Sequence, residues 1–79
     1  MEIEFKPSAV KDLKSINSKD SVKIVAKIED MENGLKGDIK KLTNFTPEYR
    51  LRVGNYRVLF EVDNEIITIY AVKHRKEAY

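Results

Sequence analysis

The stretch Tyr49-Arg50-Leu51-Arg52-Val53-Gly54-Asn55-Tyr56-Arg57-Val58-Leu59-Phe60-Glu61-Val62 alternates apolar and polar side chains on both sides of Gly54-Asn55. Period-two alternation interrupted by Gly-Asn is the signal for two strands joined by a two-residue hairpin turn, with glycine at the first central position. A turn there sets the register: Val53 opposite Tyr56, Arg52 opposite Arg57, Leu51 opposite Val58 and Arg50 opposite Leu59. Leu51, Val53, Tyr56, Val58, Phe60 and Val62 then share one face, and Arg50, Arg52 and Arg57 share the other. Two arginines directly opposite each other repel and weaken a hairpin. That cost has a use if the face holds an anion, and guanidinium groups suit phosphate in particular. The plainer alternative is a solvated face whose arginines pair with Glu48 or Glu61.

Working outward, a second hairpin follows. The segment 65–73 alternates again, and Asp63-Asn64, two residue types that tolerate positive φ, forms the expected turn. That register sets Ile67 beside Phe60, Ile69 beside Val58 and Tyr70 beside Arg57. One row across the sheet is then Leu51–Val58–Ile69, and its polar neighbour is Arg52–Arg57–Tyr70. Tyr70 reads as a packing residue flanking the arginines, and Tyr56 as core.

Toward the N-terminus, Glu2 to Lys6 alternates, so Ile3 and Phe5 face inward from a first strand that joins the sheet edge. Pro7 stops it and suits a helix start. Ala9, Val10, Leu13 and Ile16 recur at helical spacing, giving a helix over about 8–16. Asn17-Ser18 breaks it, and Ser18 or Asp20 can cap a second helix running to about Asn33. Its apolar stripe is Val22, Ile24, Val25, Ile28 and Met31, and Asn33-Gly34 ends it. Residues 34–47, with Gly34, Gly37, Asp38 and Pro47, read as a connector with a short turn near Ile39–Leu42. The fold class is α+β: β-α-α-β-β-β, an antiparallel sheet packed on a two-helix hairpin.

Seventy-nine residues make one domain, 1–79, near the lower limit for a self-sufficient core. The chain has no cysteine and a single histidine, His74, which excludes disulfides and thiolate metal sites and argues against a protein-ligated metal centre. No cofactor is expected. No apolar run approaches the roughly 20 residues of a membrane span. Met-Glu-Ile-Glu-Phe lacks the basic start and apolar run of a signal peptide. A cytoplasmic protein with no membrane partner is therefore expected. Net charge is only +2, which says little by itself. Its distribution says more: residues 1–47 hold nine lysines and no arginine, while Arg50, Arg52, Arg57 and Arg75 all lie beyond them. Helix lysines such as Lys11, Lys14, Lys23 and Lys27 read as solvating residues.

The element order, the hairpin above and the closing Val72-Lys73-His74-Arg75-Lys76-Glu77-Ala78-Tyr79 together resemble the RelE/ParE toxin superfamily. They resemble most closely its RelE-type members, the toxins of type II toxin–antitoxin pairs. The shared motifs are basic-x-basic at Arg50 and Arg52, Gly-x-Tyr-Arg ending at Arg57, and His-Arg-x-x-x-Tyr from His74. The resemblance implies a ribosome-dependent mRNA endonuclease that cuts in the A site without a metal. In that reaction the 2′-hydroxyl attacks the adjacent phosphorus, leaving a 2′,3′-cyclic phosphate and a free 5′-hydroxyl.

It further implies that Arg50 and Arg52 lie along the scissile phosphate and that Arg57 clamps it. Arg75 would face the leaving 5′-oxygen, and Tyr79 would stack on or orient a nucleotide or take part in proton transfer. Many relatives carry lysine at Arg50 or Arg52. A guanidinium stays protonated and cannot serve as a base, so either His74, suited to proton transfer, takes that role or the 2′-hydroxyl is activated by electrostatics alone. The plain readings are an ordinary polar residue at a strand end for His74 and a frayed terminus for Tyr79. Implied partners are a cognate, acidic RelB-like antitoxin, the ribosome with its mRNA, and a toxin–antitoxin heterotetramer. The competing functions on the same fold are a ParE-like toxin that inhibits DNA gyrase without cutting RNA, and an inactive toxin-fold binding protein.

Overall fold

Alternation in the sequence becomes one five-stranded sheet with both helices on a single face. The computed structural model describes residues 1–77. In chain order the elements are β1 (Glu2–Phe5), α1 (Pro7–Ser15), α2 (Ser18–Asp30), a 3₁₀ turn (Met31–Asn33), β2 (Asp38–Lys41), β3 (Tyr49–Val53), β4 (Tyr56–Asp63) and β5 (Ile66–His74). The strands lie in the order β1-β5-β4-β3-β2. β1 runs parallel to β5, and the other neighbours are antiparallel.

The β3–β4 hairpin has the register its sequence dictates, from Val53 opposite Tyr56 to Arg50 opposite Leu59. Gly54 takes φ +58 at the first turn position, a conformation that costs glycine nothing. Leu51, Val58 and Phe60 are buried on the inner face, where Tyr49 stacks on Phe60 at 5.4 Å between ring centres. Ile67, Ile69 and Val72 of β5 join them. α1 closes over β5 through Ala9, and α2 adds Ile24 and Ile28, with Met31 following.

Four expectations are corrected. Residues 38–41 form an edge strand rather than a connector, with Ile39 opposite Leu51. Asp-Ile-Lys-Lys is short and charged, which suits an exposed edge and disguises a strand. The second turn is Asn64-Glu65, not Asp63-Asn64, and both residues take positive φ (49° and 65°), as a two-residue hairpin of the primed type requires. The register therefore runs Asp63 opposite Ile66 and Phe60 opposite Ile69, then slips to Leu59 opposite Ala71. Tyr70 is the extra residue of that bulge, so Val58 faces Val72, and Arg57 faces Lys73 rather than Tyr70. The fourth concerns α2: it is capped by Asn17, whose side chain accepts the Asp20 N–H at 2.9 Å, and its α-helical part ends at Asp30. Asn17→Ala should lower the thermal midpoint through a loss of about 1 kcal/mol. A calorimetric scan showing no change would mean that this cap contributes nothing.

Three residues expected to face inward, Phe5, Val10 and Val22, are more open than their spacing implies. Val22 is 68% exposed. Phe5 is 38% exposed and lines a shallow apolar groove with Val10, Leu13, Ile16 and Val25, on the helical side of the molecule.

Candidate anion-binding site

The outer sheet face carries no helix, and strand pairing determines which side chains meet on it. At the Gly54 end the cross-strand row is Asp38–Arg52–Arg57–Lys73. The next row is Lys40–Arg50–Leu59–Ala71. Beyond these the sign reverses, with Glu61–Thr68–Glu4 and then Asp63–Ile66–Glu2. The face is cationic at one end and acidic at the other, so an anion is attracted to the hairpin tip and repelled from the opposite end.

Within the cationic end the four arginines differ. Arg50 is mostly covered (12% side-chain exposure), and its Nη1 lies 3.7 Å from Asp38 Oδ1. Its Nε is buried without a hydrogen-bond partner among the described residues. Arg52 is exposed, with no ion pair or side-chain hydrogen bond among the described residues. Arg57 is half-buried, and its Nη1 donates only to local carbonyls, Gly54 O at 3.4 Å and Tyr56 O at 3.3 Å. The acidic partners the plain reading offered lie elsewhere. Glu48 pairs with Lys41 at 3.8 Å, and no ion pair involves Glu61 among the described residues. The row's outer members are also engaged: Asp38 turns to Arg50, and Lys73 Nζ lies 3.3 Å from Asp12 Oδ1. Arg52 and Arg57 are thus left facing each other, both charged, with no counter-ion between them among the described residues.

Arg75 approaches the same tip. The Arg75 N–H donates to Asn55 O at 2.7 Å, which ties the turn after β5 to the hairpin loop, and the Arg75 side chain is exposed there. His74 pairs with Tyr56, and the two rings meet edge to face at 5.5 Å. Alternation thus puts His74 on the Tyr56 side of the sheet, opposite the guanidinium groups, and its Nδ1 accepts the Lys76 N–H at 3.3 Å. Tyr79 lies outside the described residues. Tyr70 sits away from the arginine row, its ring 5.4 Å below Lys6 Nζ and its carbonyl accepting from Ser8 Oγ.

The register thus gathers Arg50, Arg52 and Arg57 on one surface and brings Arg75 to its end. Lys73, which the sequence reading did not single out, joins the row in place of Tyr70. No cluster of three or more histidine, cysteine, aspartate or glutamate side chains suited to a metal occurs among the described residues. No helix among them is long and apolar enough to cross a membrane. Chemically, the surface can bind an oxyanion and stabilise charge that develops on it.

Residues 3–79 match a family model described as the ParE toxin of the type II toxin–antitoxin system parDE. The chain is 39% identical over 84 residues to Toxin RelE3 of Methanocaldococcus jannaschii, covering 100% of this chain and 96% of that protein. Its fold is similar to that in a crystal structure of a RelB–RelE antitoxin–toxin complex from Methanococcus jannaschii, with a TM-score of 0.78 and 39% identity over 92% of this chain and 91% of the other. The archaeal RelE–RelB complex from Pyrococcus horikoshii is also similar, with a TM-score of 0.79, 26% identity and coverage of 98% and 97%.

Proposed function

The chain belongs to the ParE toxin family of type II toxin–antitoxin systems, as a RelE-type toxin, and from that premise we propose that it is an endoribonuclease cutting mRNA in the ribosomal A site. The observation that carries this reading is the Arg52–Arg57 pair, adjacent on one sheet face and without an acidic partner among the described residues. A fold that keeps two unneutralised guanidinium groups side by side gains from an anion that bridges them, and a phosphodiester fits both forks.

In the proposed reaction the mRNA 2′-oxygen forms a bond to the neighbouring phosphorus as the bond to the 5′-oxygen breaks. The 2′-hydroxyl proton leaves, and the 5′-oxygen gains one. Such in-line chemistry is accelerated chiefly by positioning and by charge around the equatorial oxygens. Arg52 and Arg57 supply that charge, Arg50 shapes the floor beneath them, and Arg75 approaches the leaving oxygen from the strand end. The His74 ring lies on the opposite side of the sheet from the guanidinium groups. The 2′-hydroxyl is therefore activated by their charge alone and its proton passes to water, while Tyr79 stacks on a neighbouring base.

The natural inhibitor is an acidic RelB-like antitoxin. The complexes formed by its structural relatives support that partner, and two such pairs would join as a heterotetramer. Induction in cells tests the assignment: cleavages should appear within translated mRNA, in register with codons, and should cease when the antitoxin is co-expressed. Intact mRNA together with inhibited DNA gyrase would assign the chain to the gyrase-directed branch of the family instead.

A further inference from the structure

Resting on the proposed RNA-cleaving role, we infer that Lys73 is a third phosphate-binding cation of the arginine row, held aside by Asp12 until RNA arrives. The bulge is the first reason. Ile67 and Ile69 point into the core, so strict alternation would turn Lys73 inward as well. The extra residue Tyr70 reverses the phase: Val72 is buried, and Lys73 emerges on the outer face directly opposite Arg57. Bulges commonly re-aim side chains in this way beside functional sites. The result is an uninterrupted cationic row, Arg52–Arg57–Lys73, across three adjacent strands.

The second reason is how Lys73 is held. β1 covers the edge of β5 only as far as Phe5 opposite Ile69. Past that point the Val72 N–H is bonded by a side chain instead, donating to Asp12 Oδ2 at 2.9 Å. The other oxygen, Oδ1, lies 3.3 Å from Lys73 Nζ. The carboxylate is 18% exposed and anchored by the backbone, whereas the lysine is 40% exposed and its contact is the longer one. An ion pair this open to solvent is weak enough to exchange. In the free protein Asp12 relieves the repulsion between Lys73 and Arg57. A phosphate bridging the row removes that repulsion itself, and the flexible lysine stem then swings to it.

The test uses the full chain and a single-stranded oligoribonucleotide of about ten nucleotides, with affinity measured across a salt series. Lys73→Met should weaken binding about 10-fold at low salt and flatten the log–log salt slope by roughly 0.7, one phosphate contact on a single strand. Lys73→Arg should restore both. Asp12→Asn separates this role from a structural one. The amide oxygen can still accept the Val72 N–H, and the ion pair is lost as completely as in Lys73→Met. Equal or several-fold tighter binding by Asp12→Asn is expected; weakening that matches Lys73→Met would mean that the pair only braces the fold. Wild-type binding indistinguishable in strength and slope from that of Lys73→Met, even if both are negligible, overturns the inference. Lys73-dependent binding without cleavage of ribosome-bound mRNA would instead overturn only the nuclease assignment.

Discussion

Arg57→Ala should slow cleavage of ribosome-bound mRNA by on the order of 10²–10³, the usual loss for one preorganised donor to a developing charge, while leaving the thermal midpoint unchanged or slightly raised. The two halves of that expectation have one cause. Arg57 makes no ion pair among the described residues, and its hydrogen bonds reach only the nearby carbonyls of Gly54 and Tyr56. It also faces Arg52 across the strand pair. Removing it relieves a like-charge contact, so the native state loses little. Stability gained where activity is lost is the expected pattern for a site whose strain serves function. Arg52→Ala should behave alike. Arg50→Ala should not, because Arg50 is largely covered and lies beside Asp38, so its loss should lower stability as well as rate. A parallel fall in rate and thermal midpoint for Arg57→Ala would make that residue structural.

The largest effect on stability is expected from Phe60→Ala, at about 3–5 kcal/mol. Phe60 is fully buried, stacks on Tyr49 and pairs with Ile69 at the point where the β4–β5 register slips. A bulge leaves the backbone ladder incomplete, so packing must hold the strands together there. A domain of this length has a total stability of about 4–12 kcal/mol, so the substitution removes a large share of it. Equilibrium urea unfolding gives the value directly. A loss below about 1 kcal/mol would mean that the core refills the cavity and that the bulge does not depend on this ring.

How much of this was legible beforehand differs from one element to the next. Gly54-Asn55 and its flanking alternation were enough to place Arg50, Arg52 and Arg57 on one face, because register follows from a two-residue turn and face follows from register. The second hairpin misled for two physical reasons. Glu65 occupies a positive-φ position that its residue type rarely takes, so Asp63-Asn64 looked the better turn. The Tyr70 bulge then shifted the phase by one more residue. A trace of it exists: the inward residues Ile67 and Ile69 are followed by Val72, a spacing of three where a regular strand allows two or four. The bulge turned Lys73 to the outer face, and the misplaced turn and the bulge together account for Tyr70 having been set opposite Arg57 in its place. β2 was missed because Ile39 is its one apolar residue, and edge strands of this kind are defined by their partner's backbone. Asn17 outcompeted Ser18 and Asp20 as the α2 cap because helical geometry begins at Ser18, and Asp20 supplies the N–H that is capped.

The most direct measurement is the chemistry of the ends left on mRNA by purified protein on programmed ribosomes. The expected products are a 2′,3′-cyclic phosphate upstream and a 5′-hydroxyl downstream, formed at rates that collapse in Arg57→Ala and in Arg52→Ala. Fragments ending in a 5′-phosphate, or full activity in both variants, would contradict a reaction driven by two guanidinium groups gripping one phosphodiester.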